Sequence, residues 1–203
     1  MTATDRTSRS WFRSVNCDGR YGIALLAALA LLLLLAAGGE PVRAALRYQR
    51  EPLSRLQLWR LLSAHLVHLS WQHVLLNGAG LVLLWVLFAR IFSARRWLAI
   101  VLLSALAIDA GLWWLQPRID WYVGASGVLH GALAAGAVAL YRRGEGIGAA
   151  LVLLLVVKLI YEQQSGQSVF AGDLPLVASA HLYGALGGLL GSLLPRARSA
   201  PPL

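Results

Sequence analysis

Apolar positions along the chain gather into long runs rather than into one-sided helical stripes or alternating strands. Six such runs occupy residues 21–39, 65–88, 97–116, 126–141, 147–161 and 176–194. Each is near the length at which a helix crosses about 30 Å of hydrocarbon. A chain in lipid must satisfy its backbone polar groups internally, so the runs predict helices and not strands. The fold class that follows is all-α: a polytopic membrane protein built as a compact bundle of six transmembrane helices. Residues 1–20 form a polar N-terminal tail, 21–195 the membrane domain and 196–203 a short C-terminal tail. The first run is longer than a leader's apolar core and ends in Gly38-Gly39-Glu40 without a small-x-small cleavage site, which predicts a span rather than a signal peptide.

Composition agrees with this pattern: 58% of residues are hydrophobic and only 13% are charged. The net charge of +9 would suit nucleic acid, but the arginines stand at the ends of apolar runs and not on one soluble face, so no nucleic-acid partner is expected. The charge reads as topology. With an even number of spans both termini share a side. If that side is inside, eleven basic residues face in (Arg6, Arg9, Arg13, Arg20, Arg90, Arg95, Arg96, Arg142, Arg143, Arg196, Arg198) against seven facing out (Arg43, Arg47, Arg50, Arg55, Arg60, Arg118, Lys158). In that orientation the loop 40–64, with Trp59 and five arginines, is an amphipathic segment at the outer interface, and Lys158 snorkels outward beside Tyr161. The single cysteine, Cys17, lies in the polar tail and supports no disulfide framework.

Spans two, four and six run in one direction and end in arginine, so helical rise serves as a ruler of depth. Ser126 stands 16 residues before Arg142, about 24 Å up, and His181 stands 15 before Arg196, about 22 Å up. His73 and Asn77 precede Arg90 by 17 and 13 residues, roughly 25 and 20 Å. Four polar side chains from three helices thus share one level, some ångströms below the outer surface. Polar groups inside a bilayer are costly and are functional candidates by default. A serine alone reads as a buried hydroxyl bonded back to a carbonyl. With a histidine at its own depth it becomes a candidate nucleophile, His181 its base, and His73 and Asn77 donors to an oxyanion.

Residues 121–131 read Trp-Tyr-Val-Gly-Ala-Ser-Gly-Val-Leu-His-Gly, placing Ser126 between glycines where an apolar helix begins. Unpaired amides and the helix dipole there favour negative charge. Gly124 and Gly127 permit a tight turn and close approach of a carbonyl, while Gly131, Gly184 and Gly188 offer small faces for helix packing. Should Gly127 or Gly131 face Gly184, Ser126 and His181 come within one hydrogen bond.

These motifs resemble the rhomboid family of intramembrane serine proteases. They are Trp59-Arg60 in the first external loop, His68, His73 and Asn77 on span two, Gly-x-Ser-Gly at 124–127, and His181 with Gly184 and Gly188 on span six. The resemblance covers about residues 22–195. It implies a Ser126/His181 dyad without an acid, an oxyanion site formed by His73 and Asn77, and no cofactor. The partner it implies, besides the lipid bilayer, is a single-span membrane protein cut near the outer membrane boundary. Many rhomboids carry tyrosine four residues after the serine, stacked on the catalytic imidazole; here that position is His130. The 121–131 string and the compact length resemble the rhombosortase subgroup. That resemblance implies a bacterial inner membrane and substrates bearing a C-terminal Gly-Gly followed by a transmembrane anchor and a basic tail.

Other readings remain beside these. His130 either orients His181 in place of the tyrosine or satisfies a buried partner. Asp109 is a possible triad acid, although the dyad favours a structural pairing with an external arginine or a loop amide. His65 and His68 read as structural hydrogen-bonding groups near the interface. A metal site drawn from His65, His68, His73, His130 and His181 lacks the carboxylate partner that hydrolytic zinc usually has, so no metal is expected. The segment 158–172 at the end of span five is a candidate mobile edge for substrate entry.

Overall fold

A computed structural model describes residues 15–167 and 177–194. Most of the two tails, and part of the segment expected to be a mobile edge, lie outside the described residues, as do Arg6, Arg9, Arg13, Arg196 and Arg198 from the arginine count. Helix dominates. In chain order the elements are α1 (Gly22–Ala37), α2 (Gly39–Leu46), β1 (Tyr48–Gln49), α3 (Arg50–Ser54), α4 (Arg60–Ser63), α5 (Trp71–Phe88), α6 (Ala94–Ala110) running into a π-helical turn (Gly111–Leu115), β2 (Trp121–Tyr122), α7 (Ser126–Arg142), α8 (Gly146–Ser165) and α9 (Ala178–Leu193).

All six apolar runs become helices, but not all have the dimensions of a full span. Trp71–Phe88, Ala94–Leu115 and Gly146–Ser165 are long and apolar enough to cross a membrane, and α1 with α2 would add a fourth if that pair, bent by 111°, counts as one broken span. α7 has 17 residues and α9 has 16. These two are the most enclosed helices. Their glycines and alanines face other helices, so their length answers to packing as well as to lipid.

Packing explains the arrangement. α7, α9 and α6 form the centre, with α8 against α7 and α5 on the opposite flank. Glycines set the spacing of α7 and α9. A methyl on Gly184 would collide with the Gly127 carbonyl, one on Gly188 with the Gly131 carbonyl, and one on Gly131 with the Ser104 hydroxyl. Small-residue seams of this kind let two backbones approach where lipid supplies no hydrophobic drive for association. Below the seam, Phe88, Ile100, Ala135 and Leu140 close the core.

The second apolar run does not fold as one helix from residue 65. Ser70 caps α5, its hydroxyl accepting from the His73 N–H at 3.2 Å, so His65 and His68 lie in the loop before the helix. A serine cap satisfies an orphan first-turn amide, and that local preference overrides the apolar pattern.

The loop 40–64 is ordered by its arginines. Arg60, buried, donates to the carbonyls of Ala44 and Arg47 at 2.8 and 2.9 Å, and Trp59 Nε1 donates to Ala45 O at 3.3 Å. Arg43 donates to Leu69 O at 2.8 Å. Arg50 reaches across to the carbonyls of Ile119 and Gln116, both at 3.0 Å, beside the π-helical turn. These arginines are clamps on backbone carbonyls as well as positive charge.

Candidate active site

β1 and β2 place the serine. Tyr48 pairs with Tyr122 and Gln49 with Trp121, fixing the strand that leads into α7. The buried Tyr122 hydroxyl donates to Gly124 O at 2.8 Å, and Gly124 N–H donates to Ala64 O at 2.9 Å. Burial raises the Tyr122 phenol above its ordinary pKa, so it remains a donor at neutral pH. Gly124 adopts φ +120°, a conformation that favours glycine. A Cβ there would also stand 2.8 Å from His73 Cε1 and 3.0 Å from its Nε2. Two residues later the chain enters α7 with Ser126 as the first helical residue, so first-turn amides lack intrahelical partners.

Ser126 Oγ lies 2.8 Å from His181 Nε2. The other nitrogen of this buried imidazole, Nδ1, is 2.8 Å from Glu162 Oε2. A carboxylate only accepts, so Nδ1 carries the hydrogen and Nε2 presents its lone pair to the serine hydroxyl. Glu162 is fully buried, at 0% exposure. Its second oxygen accepts from Lys158, one helical turn earlier on α8. The ammonium also donates to His130 Nε2 at 2.8 Å. His130 therefore carries its hydrogen on Nδ1, which donates to the Ser126 carbonyl at 2.7 Å. The His130 and His181 rings lie parallel, with centroids 4.0 Å apart and planes 12° from one another. Hydroxyl, two imidazoles, carboxylate and ammonium thus form one closed circuit with a single consistent set of protons.

His73 stands on the other side of the serine. Its Nδ1 accepts from the Leu69 N–H at 3.4 Å, which makes Nε2 the donor. The point where a Gly124 side chain would begin is 3.0 Å from that Nε2 and 4.0 Å from Ser126 Oγ. His73 Nε2 and Ser126 Oγ thus lie on the same side of the Gly124 backbone, with the glycine's missing side chain leaving them uncovered. Asn77 is buried and donates to His73 O at 2.9 Å, which engages one of the two hydrogens of its side-chain amide. His68 sets its ring edge-on to His73, with centroids 4.9 Å apart. Burial lowers the His68 pKa to about 3, so it is neutral at physiological pH.

Several expectations need correction. Lys158 does not snorkel to the interface: its side chain is 13% exposed and is bonded within the bundle. Asp109 meets neither His181 nor an arginine but His65, at 3.4 Å and buried. Glu162, a carboxylate that the resemblance does not imply at this place, lies against His181 Nδ1. For His130 both open readings are met at once, since it stacks on His181 and also satisfies buried partners. The one group of side chains able to hold a metal ion among the described residues is His130, Glu162 and His181, whose ligand atoms lie within 4.8 Å of one another. They do not fit a cation as they stand, because the Lys158 ammonium is bonded to two of the three.

Glu162 was discoverable from sequence. It lies 16 residues beyond Gly146, where α8 starts, about 24 Å along the helix and so level with Ser126. Lys158 and Glu162, four apart in an apolar helix, are the spacing of an intrahelical ion pair.

Residues 55–197, well over half the chain, match a family model described as the Rhomboid domain. No curated protein matches the chain.

Proposed function

Because this chain belongs to the rhomboid family, whose members are in general serine intramembrane proteases acting on transmembrane substrates, we propose that it is an intramembrane serine endopeptidase. Ser126 is the nucleophile and His181 the base. The observation that carries this reading is the 2.8 Å contact between Ser126 Oγ and His181 Nε2 at the head of an apolar helix. Ser126 attacks the scissile carbonyl while its proton passes to Nε2. His181 then protonates the leaving amine, and water, deprotonated by the same imidazole, releases the acyl group from Ser126. His73 Nε2–H and the amides opening α7 face the developing oxyanion, with Asn77 holding the His73 backbone.

The family and the apolar helices make the chain a multi-pass membrane protein. In our reading it has six spans and both termini in the cytoplasm of a bacterium, so that Ser126 lies below the outer face of the inner membrane. The substrate is a single-span protein with a C-terminal Gly-Gly ahead of its anchor and basic tail, the rhombosortase pattern. Support comes from the 121–131 string and from His130 stacked where other rhomboids place tyrosine.

The test is a membrane reporter carrying a globular domain, Gly-Gly, one transmembrane segment and an arginine tail, presented to wild type, Ser126→Ala and His181→Ala. Cleavage by wild type alone, lost when Gly-Gly is changed, is the expected result. Cleavage indifferent to Gly-Gly leaves a rhomboid protease of other specificity. Binding without cleavage would indicate a silent client-binding protein, and cleavage surviving Ser126→Ala would overturn the mechanism.

A further inference from the structure

The dyad accounts for two of the five polar groups in the circuit. The other three need a reason to exist, because an ammonium and a carboxylate in the middle of a membrane bundle carry a desolvation penalty that their mutual attraction does not reliably offset. Stability alone is a weak reason: apolar residues at 130, 158 and 162 would pack the same space with no charge to desolvate. The geometry instead gives Glu162 a task at one atom, since its Oε2 faces the hydrogen on His181 Nδ1 at 2.8 Å.

Resting on the protease reading above, we propose that Glu162 is a positioning residue completing a Ser126–His181–Glu162 relay, and that Lys158 holds the relay in register. Glu162 fixes the tautomer in which His181 Nε2 can accept the serine proton, and opposes the charge of the imidazolium that then forms. Lys158 fixes Glu162 through Oε1 and fixes His130 through Nε2. His130, held neutral by donating to Ser126 O and accepting from Lys158, supplies a flat uncharged face for the imidazolium. A protonated His130 would set two cations 4.0 Å apart; the ammonium, having no acceptor to offer, prevents this. Span five thereby supplies what the dyad lacks.

A fluorophosphonate probe reports on this without a peptide substrate. Ser126 Oγ forms a bond to phosphorus, the P–F bond breaks, fluoride departs and the hydroxyl proton passes to His181. Labelling rates are measured for the full chain in detergent micelles for wild type, Ser126→Ala, Glu162→Gln, Glu162→Asp and the double variant Lys158→Met/Glu162→Gln. The double variant leaves no unpaired buried charge, so it tests the relay in a protein whose fold is not strained by a lone ion.

Glutamine matches glutamate in shape but can donate to Nδ1 and so select the wrong tautomer. It should slow labelling by about a hundredfold to ten-thousandfold, and the double variant by as much. Aspartate is shorter but keeps the charge, and should recover part of the rate. In ¹⁵N-histidine spectra, His181 should change from the Nδ1–H to the Nε2–H tautomer in Glu162→Gln. Ser126-dependent labelling in which Glu162→Gln and the double variant stay within threefold of wild type would overturn the relay alone. Wild type that is not labelled at Ser126 would overturn the protease reading, and the relay with it.

Discussion

Gly184→Ala is the sharpest test of how the site is held together. A methyl carbon on Gly184 would stand 2.6 Å from the Gly127 carbonyl carbon, and nearer still to its oxygen, where ordinary contact begins at 3.4 Å. Relief at the carbon alone requires α7 and α9 to part by 3.4 minus 2.6, about 0.8 Å, and the closer oxygen demands more, since both Gly127 atoms belong to backbone and neither can rotate away. Gly127 adjoins Ser126, and Gly184 lies one turn after His181, so the separation falls on the 2.8 Å hydrogen bond between them. Stretched by that amount it reaches about 3.6 Å, beyond useful length. Overpacking of this kind costs about 1–3 kcal/mol, and misplacing a reacting group by about 1 Å costs on the order of a hundredfold in rate. The variant should therefore remain folded in detergent with a lowered melting temperature while losing most of its labelling by fluorophosphonate. Gly22→Ala is the control: the added carbon meets Trp85 at an ordinary 3.9 Å and should change neither. Gly184→Ala labelled at the wild-type rate with an unchanged melting temperature would refute the claim that this glycine seam sets the distance between nucleophile and base.

Other outcomes follow from the same geometry. Gly124→Ala combines φ +120° with a clash against the His73 ring and should reduce labelling at least tenfold with little loss of helix content by circular dichroism. Lys158→Met alone leaves the fully buried Glu162 without its ammonium; truncating one partner of a buried pair costs about 3–5 kcal/mol, so this variant should melt well below the double variant in a thermal scan. His68, with a pKa of about 3 when folded against about 6.5 unfolded, stays neutral in the native state while the unfolded chain takes up a proton. Its contribution to stability is therefore present above pH 6.5 and is lost as pH falls from there toward 3. Melting temperature should decline over that window, and less steeply in His68→Phe.

Depth was the most legible property of this sequence. Ser126, His181 and His73 come to one level because each precedes, by a similar number of residues, an arginine that follows an apolar run in the sequence, and helical rise is nearly invariant. What escaped was the other direction of travel. The pattern reads Lys158 as snorkelling because a cation near the end of an apolar run ordinarily does, and it does not single out Glu162, yet α8 extends to Ser165 and carries both inside. The His65–Asp109 pair escaped for a different reason: its partners lie far apart in sequence, one in a loop and one in a helix, and no periodicity connects them. The arginines of the first loop were legible as charge but not as clamps, since backbone carbonyls have no sequence signature.

The spacing of Lys158 and Glu162 also bears on how the protein enters its membrane. A lone charged side chain at the centre of an inserting helix is penalised by about 2.5–3.5 kcal/mol. Asp109 must wait for a loop histidine from elsewhere in the chain. Glu162, by contrast, has its cation four residues away on the same helix and bonded to it, so that segment can leave the insertion machinery as an electrically neutral unit before any neighbouring helix is in place. The charges of the site are thus paired within one helix by local sequence, whereas their meeting with the serine and histidine depends on the packing of α8 against α7 and α9.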